Sequence, residues 1–111
     1  MWRTVGLAGL IWFAATACGH TQQDEGDARR GQAFAQRVCA QCHAVRWSQI
    51  GSRNPDAPTF PVIAEVPGMT AMALTVALQS SHNAMPDLVL EPRERRDVIA
   101  YILSLRRANR R

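Results

Sequence analysis

The feature that most constrains this chain is the segment from Cys39 to His43, which reads Cys-Ala-Gln-Cys-His. Two cysteines three positions apart, with a histidine directly after the second, bring two thiols and an imidazole onto one turn of backbone. The chain has 111 residues, enough for one small domain, and aromatic residues make up only 6% of it. Because protein side chains alone would give a modest core, a large apolar group bound at this turn would add to it.

Covalent attachment of haem c is the chemistry that this spacing fits best. Cys39 and Cys42 can each form a thioether, and the adjacent His43 can bind the iron. A thioredoxin-like redox pair needs a β-α-β context, which the sequence lacks. A zinc site needs further ligands at short spacing, and His20 and His82 are poorly placed. A disulfide between the two cysteines is the remaining alternative.

The N-terminus has the pattern of an export signal over residues 1–17. Arg3 precedes an apolar run from Val5 to Ala15, which is shorter than the ~20 residues of a comfortable membrane span. Residues 18–26 are polar and without periodicity, and we expect them to form a tether. Export would place the mature domain outside the cytoplasm, in the periplasm, where thiols with no other bond tend to oxidise.

Cys18 is the odd cysteine, because the haem motif uses the other two. It follows the apolar run and small residues in a way that resembles a bacterial lipoprotein cleavage site, although Leu is more usual where Ala15 stands. We expect lipidation of Cys18 to tether the domain to a membrane. Cleavage by ordinary signal peptidase and an uncleaved N-terminal anchor are the alternatives.

Helical periodicity begins after Asp27, which is placed to cap the first turn of a helix. Gly31, Phe34 and Val38 recur at helical spacing, and we expect this helix to run directly into Cys39. Between residues 44 and 68 there are four prolines, which indicate a loop with at most a short turn of helix.

Two further helices follow this loop. Thr70 can cap a helix that continues through about Ser80. The last helix starts at Pro92 and buries a stripe that includes Val98 and Ile102. No alternating run of strand length is present, so the sequence predicts an all-α domain over residues 27–105.

The charge of the chain is weakly basic, with 13 cations against 9 acids and a net charge of +4. All the cations are arginines, and four of them lie in the last six residues. We expect residues 106–111 to form a solvated basic tail. A basic surface of this kind does not indicate a nucleic-acid partner.

On these residues the chain resembles the class I cytochrome c family over nearly all of the predicted domain. The Cys-Ala-Gln-Cys-His motif is highly specific, and the other matching features are moderately so. They are Gly31, Phe34 and Ala35 before the motif, Ala57-Pro58 and Phe60 in the loop, Met85-Pro86 after the third helix, and Tyr101 on the last helix.

This resemblance implies three main helices packed around one covalently attached haem c. It implies one-electron transfer between a redox protein donor and an acceptor, and no enzymatic activity. Two other functions stay open. The chain could be the electron-accepting subunit of a larger dehydrogenase complex, or a haem enzyme or gas sensor with a displaceable distal ligand.

The resemblance also assigns roles around the haem. Pro58 corresponds to the family's loop proline, whose carbonyl accepts a hydrogen bond from the ring of the axial histidine, although Pro55 or Pro61 could take this role. Arg46, Trp47 and Arg53 follow the motif and could reach the haem propionates, or form an exposed loop in which the indole serves packing.

Met85 is the predicted second axial ligand, opposite His43. It follows the end of the third helix and lies on a segment that Pro86 biases toward an extended conformation, and it matches the family's Met-Pro position. The alternatives are Met69, in the turn entering that helix, His82, and an open site with no protein ligand.

Overall fold

The computed structural model describes residues 25–80, 85–86 and 88–107. Within these residues the chain forms helices and no β-strand, and the prediction of an all-α fold is confirmed. The helices are α1 Ala28–Arg37, α2 Phe60–Glu65, α3 Ala71–Gln79 and α4 Pro92–Ser104, and a short 3₁₀ turn, Cys39–Gln41, follows α1.

Several predictions fall on residues that the structure does not describe. They are the export signal at residues 1–17, lipidation of Cys18, most of the tether, and the alternative iron ligand His82. Among the described residues, no helix is both long enough and apolar enough to cross a membrane.

Helices α1 and α3 begin at the caps that the sequence predicts. The Asp27 carboxylate accepts hydrogen bonds from the backbone N–H groups of Arg29 and Arg30, at 2.8 and 3.0 Å. The Thr70 hydroxyl accepts one from the N–H of Ala73 at 3.1 Å. These bonds satisfy donors that would have no partner inside the helix.

Helix α2 lies in the proline-rich segment where the sequence predicts a loop with at most a short turn of helix, and its six residues form such a turn. Its start is fixed because the Thr59 hydroxyl accepts a hydrogen bond from the N–H of Val62 at 3.3 Å. Pro61 lies in the first turn, where a helix needs no N–H donor. Phe60 and Ala64 are buried, and their burial stabilises a helix of only six residues.

Helix α4 begins at Pro92, as predicted, and is the longest helix in the described part of the chain. The Glu94 carboxylate accepts a hydrogen bond from the backbone N–H of Glu91 at 3.1 Å, which tightens the first turn. One face of α4 supplies five buried residues, which are Asp97, Val98, Ile99, Tyr101 and Ile102.

Helices α1 and α4 cross with their backbones in contact. A Cβ atom on Gly31 would collide with the carbonyl oxygen of Asp97 and would lie 2.9 Å from Cβ of Tyr101. Gly26, the last residue of the expected tether, has the same relation to the carbonyl of Arg96. Both glycines are therefore required by close approach of two main chains.

Polar contacts also stabilise the crossing of α1 and α4. The Asp97 carboxylate, which is buried, accepts hydrogen bonds from Nε and Nη2 of Arg30 at 2.8 and 3.1 Å, and from the N–H of Asp27 at 2.7 Å. The Arg30 guanidinium beside it holds the pKa of the Asp97 carboxyl below its ordinary value. Asp97 therefore fixes the start of α1 against the middle of α4.

Arg106 and Arg107, the first two residues of the expected basic tail, both contact the rest of the domain, and Arg107 is also exposed to solvent. The half-buried Arg106 side chain donates to the carbonyl oxygens of Ala64 and Met69. The Arg107 guanidinium carbon lies 3.6 Å from the centre of the Trp47 ring. Residues 108–111 lie outside the described part of the chain.

Candidate cofactor site

The Cys-Ala-Gln-Cys-His motif forms a tight turn directly after α1. The carbonyl oxygen of Cys39 accepts hydrogen bonds from the backbone N–H groups of Cys42 and His43, at 3.1 and 2.9 Å. Helix α1 gives way to this turn after Val38, whose N–H still bonds to the carbonyl of Phe34. The two thiols and the imidazole of the motif are thus carried on one short turn anchored to α1.

Cys39 and Cys42 are both free thiols and both half-buried. Burial raises the pKa of the Cys39 thiol to about 11, so the protonated form dominates near neutral pH. A redox-active cysteine pair needs a thiolate with a lowered pKa. The environment of Cys39 therefore does not favour thioredoxin-like chemistry.

The ring of His43 is oriented by a backbone carbonyl. Its Nδ1 lies 2.6 Å from the carbonyl oxygen of Pro58, a distance at which Nδ1–H donates to that oxygen. The Nε2 atom is then the nitrogen with a lone pair available for a metal. The structure brings together His43 and Pro58, and gives Pro55 and Pro61 no hydrogen bond to this ring.

Helix α2 begins against the same histidine. The N–H of Phe60 donates to the carbonyl oxygen of Ala44 at 2.8 Å, and the Phe60 and His43 ring centres are 5.5 Å apart. On its other side Phe60 meets Tyr101, with ring centres 6.3 Å apart. The core therefore reaches from α4 through Phe60 to the imidazole.

Side chains that the sequence analysis did not single out fix the loop after His43. The Gln49 side-chain oxygen accepts from the N–H groups of Val45 and Arg46, at 2.8 and 3.0 Å. The Ser52 hydroxyl accepts from the N–H of Ala44 at 2.9 Å. Ser52 and Asn54, just before Pro55, are a composition signal for such bonds, but the partners cannot be read from composition.

Trp47 is held by its indole nitrogen. Its N–H donates to the carbonyl oxygen of Leu105 at 2.9 Å, so this donor is engaged by the end of α4. Of the two roles considered for Trp47, the structure shows the packing role. Arg46 and Arg53 are exposed.

Met85 is half-buried and lines a groove of about 460 Å³ beside the end of α3. Leu78, Pro86 and Leu90 are among the other residues of this groove. Met69, by contrast, packs against the main core.

The donor set and the surface of the domain fit a haem c group. Two free thiols and an imidazole with one nitrogen already engaged are what thioether attachment and axial ligation require. No group of three His, Cys, Asp or Glu side chains within the described residues could hold a metal ion such as zinc. Several large apolar side chains are exposed, and they are Ile50, Val62, Val66, Met72, Val76, Leu88 and Val89.

Comparison with known proteins agrees with this fit. Residues 26–102 match the family described as cytochrome c oxidase, cbb3-type, subunit III, a c-type cytochrome domain. The chain is 34% identical over 100 residues to cytochrome c-552 of Bradyrhizobium diazoefficiens, an alignment that covers 90% of this chain and 95% of the relative. No solved structure matches.

The predictions of a covalent haem c and of an electron carrier are confirmed by these relatives. The chain therefore belongs to this family of c-type cytochromes, and it carries electrons through a covalently bound haem c.

Proposed function

We propose that this cytochrome is a one-electron carrier whose haem is bonded to Cys39 and Cys42, with His43 and Met85 as the axial ligands of the iron. A bound haem c supplies one iron that gains and loses a single electron. The observation that carries the proposal is the motif turn, on which two free thiols adjoin an imidazole that a backbone carbonyl orients.

His43 is suited to an axial role because its ring cannot turn freely. The hydrogen bond from Nδ1–H to Pro58 fixes the tautomer and leaves Nε2 for the metal. Such a bond also raises the basicity of the imidazole and so strengthens its bond to a metal. Pro58 is therefore proposed as the residue that orients the axial histidine.

The burial of the methionines supports Met85 over its alternatives. Met72 lies on α3 with 72% of its surface exposed, on a helix that fixes its direction. Met69 packs against the core, and its carbonyl oxygen accepts a hydrogen bond from Arg106. Met85 lies beyond α3 in a groove, with no helix to limit its backbone.

Mass spectrometry of the purified protein tests covalent attachment. After acid and organic extraction, the polypeptide should retain the mass of one haem, and Cys39→Ala or Cys42→Ala should weaken that retention sharply. Haem that extracts completely from the unmodified protein would contradict both thioethers.

Optical spectroscopy tests the axial ligands. The oxidised protein should show the weak far-red absorption of an iron–thioether bond. Met85→Ala should abolish this band, lower the reduction potential and allow the reduced iron to bind carbon monoxide. Met69→Ala is the matched control and should keep the band. If the band is unchanged in Met85→Ala, Met85 is not the ligand and Met69 is the next residue to test.

We further propose that the domain works in the periplasm, tethered to a membrane by lipidation of Cys18. The supporting observation is the pattern of the N-terminal sequence, with a short apolar run that ends just before Cys18. Cys18→Ser should release the cytochrome into the soluble fraction. Membrane retention of this variant with an intact N-terminus would indicate an uncleaved anchor.

A stable place in a larger redox complex is the second candidate. It is favoured by the description of the matching family, which names a subunit of an oxidase. A dehydrogenase that uses the chain as its electron-accepting subunit would give the same haem site. Copurification with a catalytic chain under mild conditions would distinguish a fixed subunit from a free electron carrier. Rapid carbon monoxide binding by the unmodified reduced protein would instead favour a gas sensor or haem enzyme.

A further inference from the structure

Arg106 binds two backbone carbonyls that belong to different parts of the chain. Its Nε donates to the carbonyl oxygen of Ala64 at 3.1 Å, and its Nη2 donates to that of Met69 at 2.6 Å. Hydrogen bonds from a charged donor are stronger than those between neutral groups. A guanidinium can make both at once because its N–H groups form a rigid fork.

The Ala64 carbonyl is one that α2 cannot satisfy itself. It lies within the last four residues of a six-residue helix, where carbonyl groups have no N–H partner in the helix. Met69 lies in the turn that leads from α2 into α3. Arg106 therefore closes the end of α2 and joins it, with the following turn, to the end of α4.

The neighbouring residue adds a second connection between the same regions. The backbone N–H of Arg107 donates to the Glu65 carboxylate at 2.6 Å. The Arg107 side chain stacks on Trp47, whose own N–H donates to Leu105. The residues just after α4 thus hold both the end of α2 and the loop that follows His43.

The opposite end of α2 touches the haem motif. Phe60 is bonded through its N–H to Ala44 and packs against the His43 ring, and Pro58, two residues before Phe60, accepts the hydrogen bond from that ring. Since α2 has only six residues, fewer than two turns, a shift at Ala64 is transmitted along a short element to Phe60.

We propose that Arg106 is a positioning residue for the axial histidine. It acts through α2, which it holds at the end remote from His43, and it thereby keeps the Pro58 carbonyl at hydrogen-bond distance from the imidazole. This inference rests on the proposed role of His43 as an iron ligand. Nothing in the sequence pattern marks Arg106, because its partners lie 42 and 37 positions away.

Hydrogen exchange in the haem-loaded Arg106→Gln variant tests the proposal. Nuclear magnetic resonance should follow the His43 Nδ1 proton, the Phe60 amide proton and, as an internal reference, the amide proton of Val98 in α4. We expect exchange at the first two sites to accelerate about tenfold, the change that a loss of 1.4 kcal/mol in local stability produces. Exchange at Val98 should change much less.

Two further variants make the result specific. Arg106→Lys keeps the charge but loses the fork, and it should give an intermediate acceleration. Arg93→Gln removes the same charge from an exposed position in the first turn of α4 and should leave all three rates near those of the unmodified protein. If Arg106→Gln does not fold, the same three exchange rates are compared between Arg106→Lys and the unmodified protein.

The possible outcomes separate the proposal from its premise. Equal acceleration at all three sites would show that Arg106 contributes only to global stability, and no acceleration would show that it does not hold α2; either overturns the proposal. If His43 is not an iron ligand, the premise itself fails, and the unmodified protein already shows this. The His43 ring protons would then lack the shifts that a bound paramagnetic iron causes.

Discussion

The two sides of this domain are built in different ways. On one side, α4 buries five residues against α1, the loop after His43 and the start of α2, and Val98 has no exposed surface. On the other side, α3 buries only Leu74, while Met72 and Val76 are 72% and 56% exposed. Helix α3 carries no charged residue at all, although a solvated helix normally has a polar face.

This difference indicates which side depends on the cofactor. The α1–α4 crossing is completed by the chain's own glycines and by the Arg30–Asp97 pair. On the α2–α3 side, apolar side chains such as Val62 and Met72 are exposed among the residues that the structure describes. Because the chain carries a covalent haem c, the apolar porphyrin is available to cover such surface. The crossing should therefore be the more independent part of the fold.

Removal of both thioethers should have the largest effect, and it tests whether the α2–α3 side depends on haem. In Cys39→Ala/Cys42→Ala the haem is no longer retained, and loss of a tightly bound group costs roughly 4 kcal/mol or more. Amide exchange should show α3 unprotected while part of α1 and α4 remains protected. Unchanged protection of α3 in this variant would mean that the α2–α3 side does not depend on haem.

Gly31→Ala should have the next largest effect, on the other side. The added methyl group collides with the Asp97 carbonyl and forces α1 and α4 apart, at a cost of about 3 kcal/mol. Denaturant unfolding of the haem-loaded protein measures this. Gly51→Ala is the control, since a Cβ there meets nothing within 4 Å, and it should change stability by less than about 1 kcal/mol.

Asp97→Asn should weaken the same crossing by about 2 kcal/mol, because it replaces a charged partner of Arg30 with a neutral one. The backbone bond from Asp27 can persist to the amide oxygen. The measurement is again denaturant unfolding near neutral pH. Asp56→Asn, at an exposed loop position, should leave stability nearly unchanged.

The effect of Asp97→Asn should depend on pH in a defined direction. The pKa of Asp97 is lowered in the folded protein, chiefly by its hydrogen bond from Arg30. Its contribution is therefore complete above the unfolded pKa of about 4 and is lost as the pH falls through the lower folded value. The stability gap between the unmodified protein and the variant should narrow below about pH 4.

Thr70→Ala should give the smallest effect, about 1 kcal/mol, confined to α3. The hydroxyl that accepts the N–H of Ala73 is lost, while Thr70→Ser retains an equivalent acceptor and should behave like the unmodified protein. Amide exchange should show faster opening of α3 with little change in α4. An equal change in both helices would mean that the two sides unfold as one unit.

Local signals made much of the fold predictable. Asp27, Thr70 and Pro92 act within one turn of their own positions, so the starts of α1, α3 and α4 could be read from the sequence. For α2 the sequence predicts only that a short turn of helix is allowed between the prolines; its position cannot be read locally, because its stability comes from the burial of Phe60 against distant residues. Tertiary packing therefore determines the conformation of that segment.

The candidate site likewise has residues that the sequence identifies and residues that it does not. The motif residues are adjacent in the chain, and Pro58 was assigned from a family resemblance and not from physical reasoning. Asp97 and Arg106 were missed, since each acts on backbone groups far away in sequence. An aspartate inside the apolar stripe of α4 was the one available signal, because such a residue needs a buried partner.

The contact of Gly26 with α4 determines where the N-terminal segment leaves the domain. With the anchor proposed at Cys18, Gly26 lies eight positions further along the chain than the lipid-bearing residue, and a segment of that length spans at most about 28 Å. The haem is then confined to a thin layer above the bilayer. Encounters with partners embedded in the same membrane would then take place within that layer, and the cytochrome would not have to reach them by diffusion through the bulk solution.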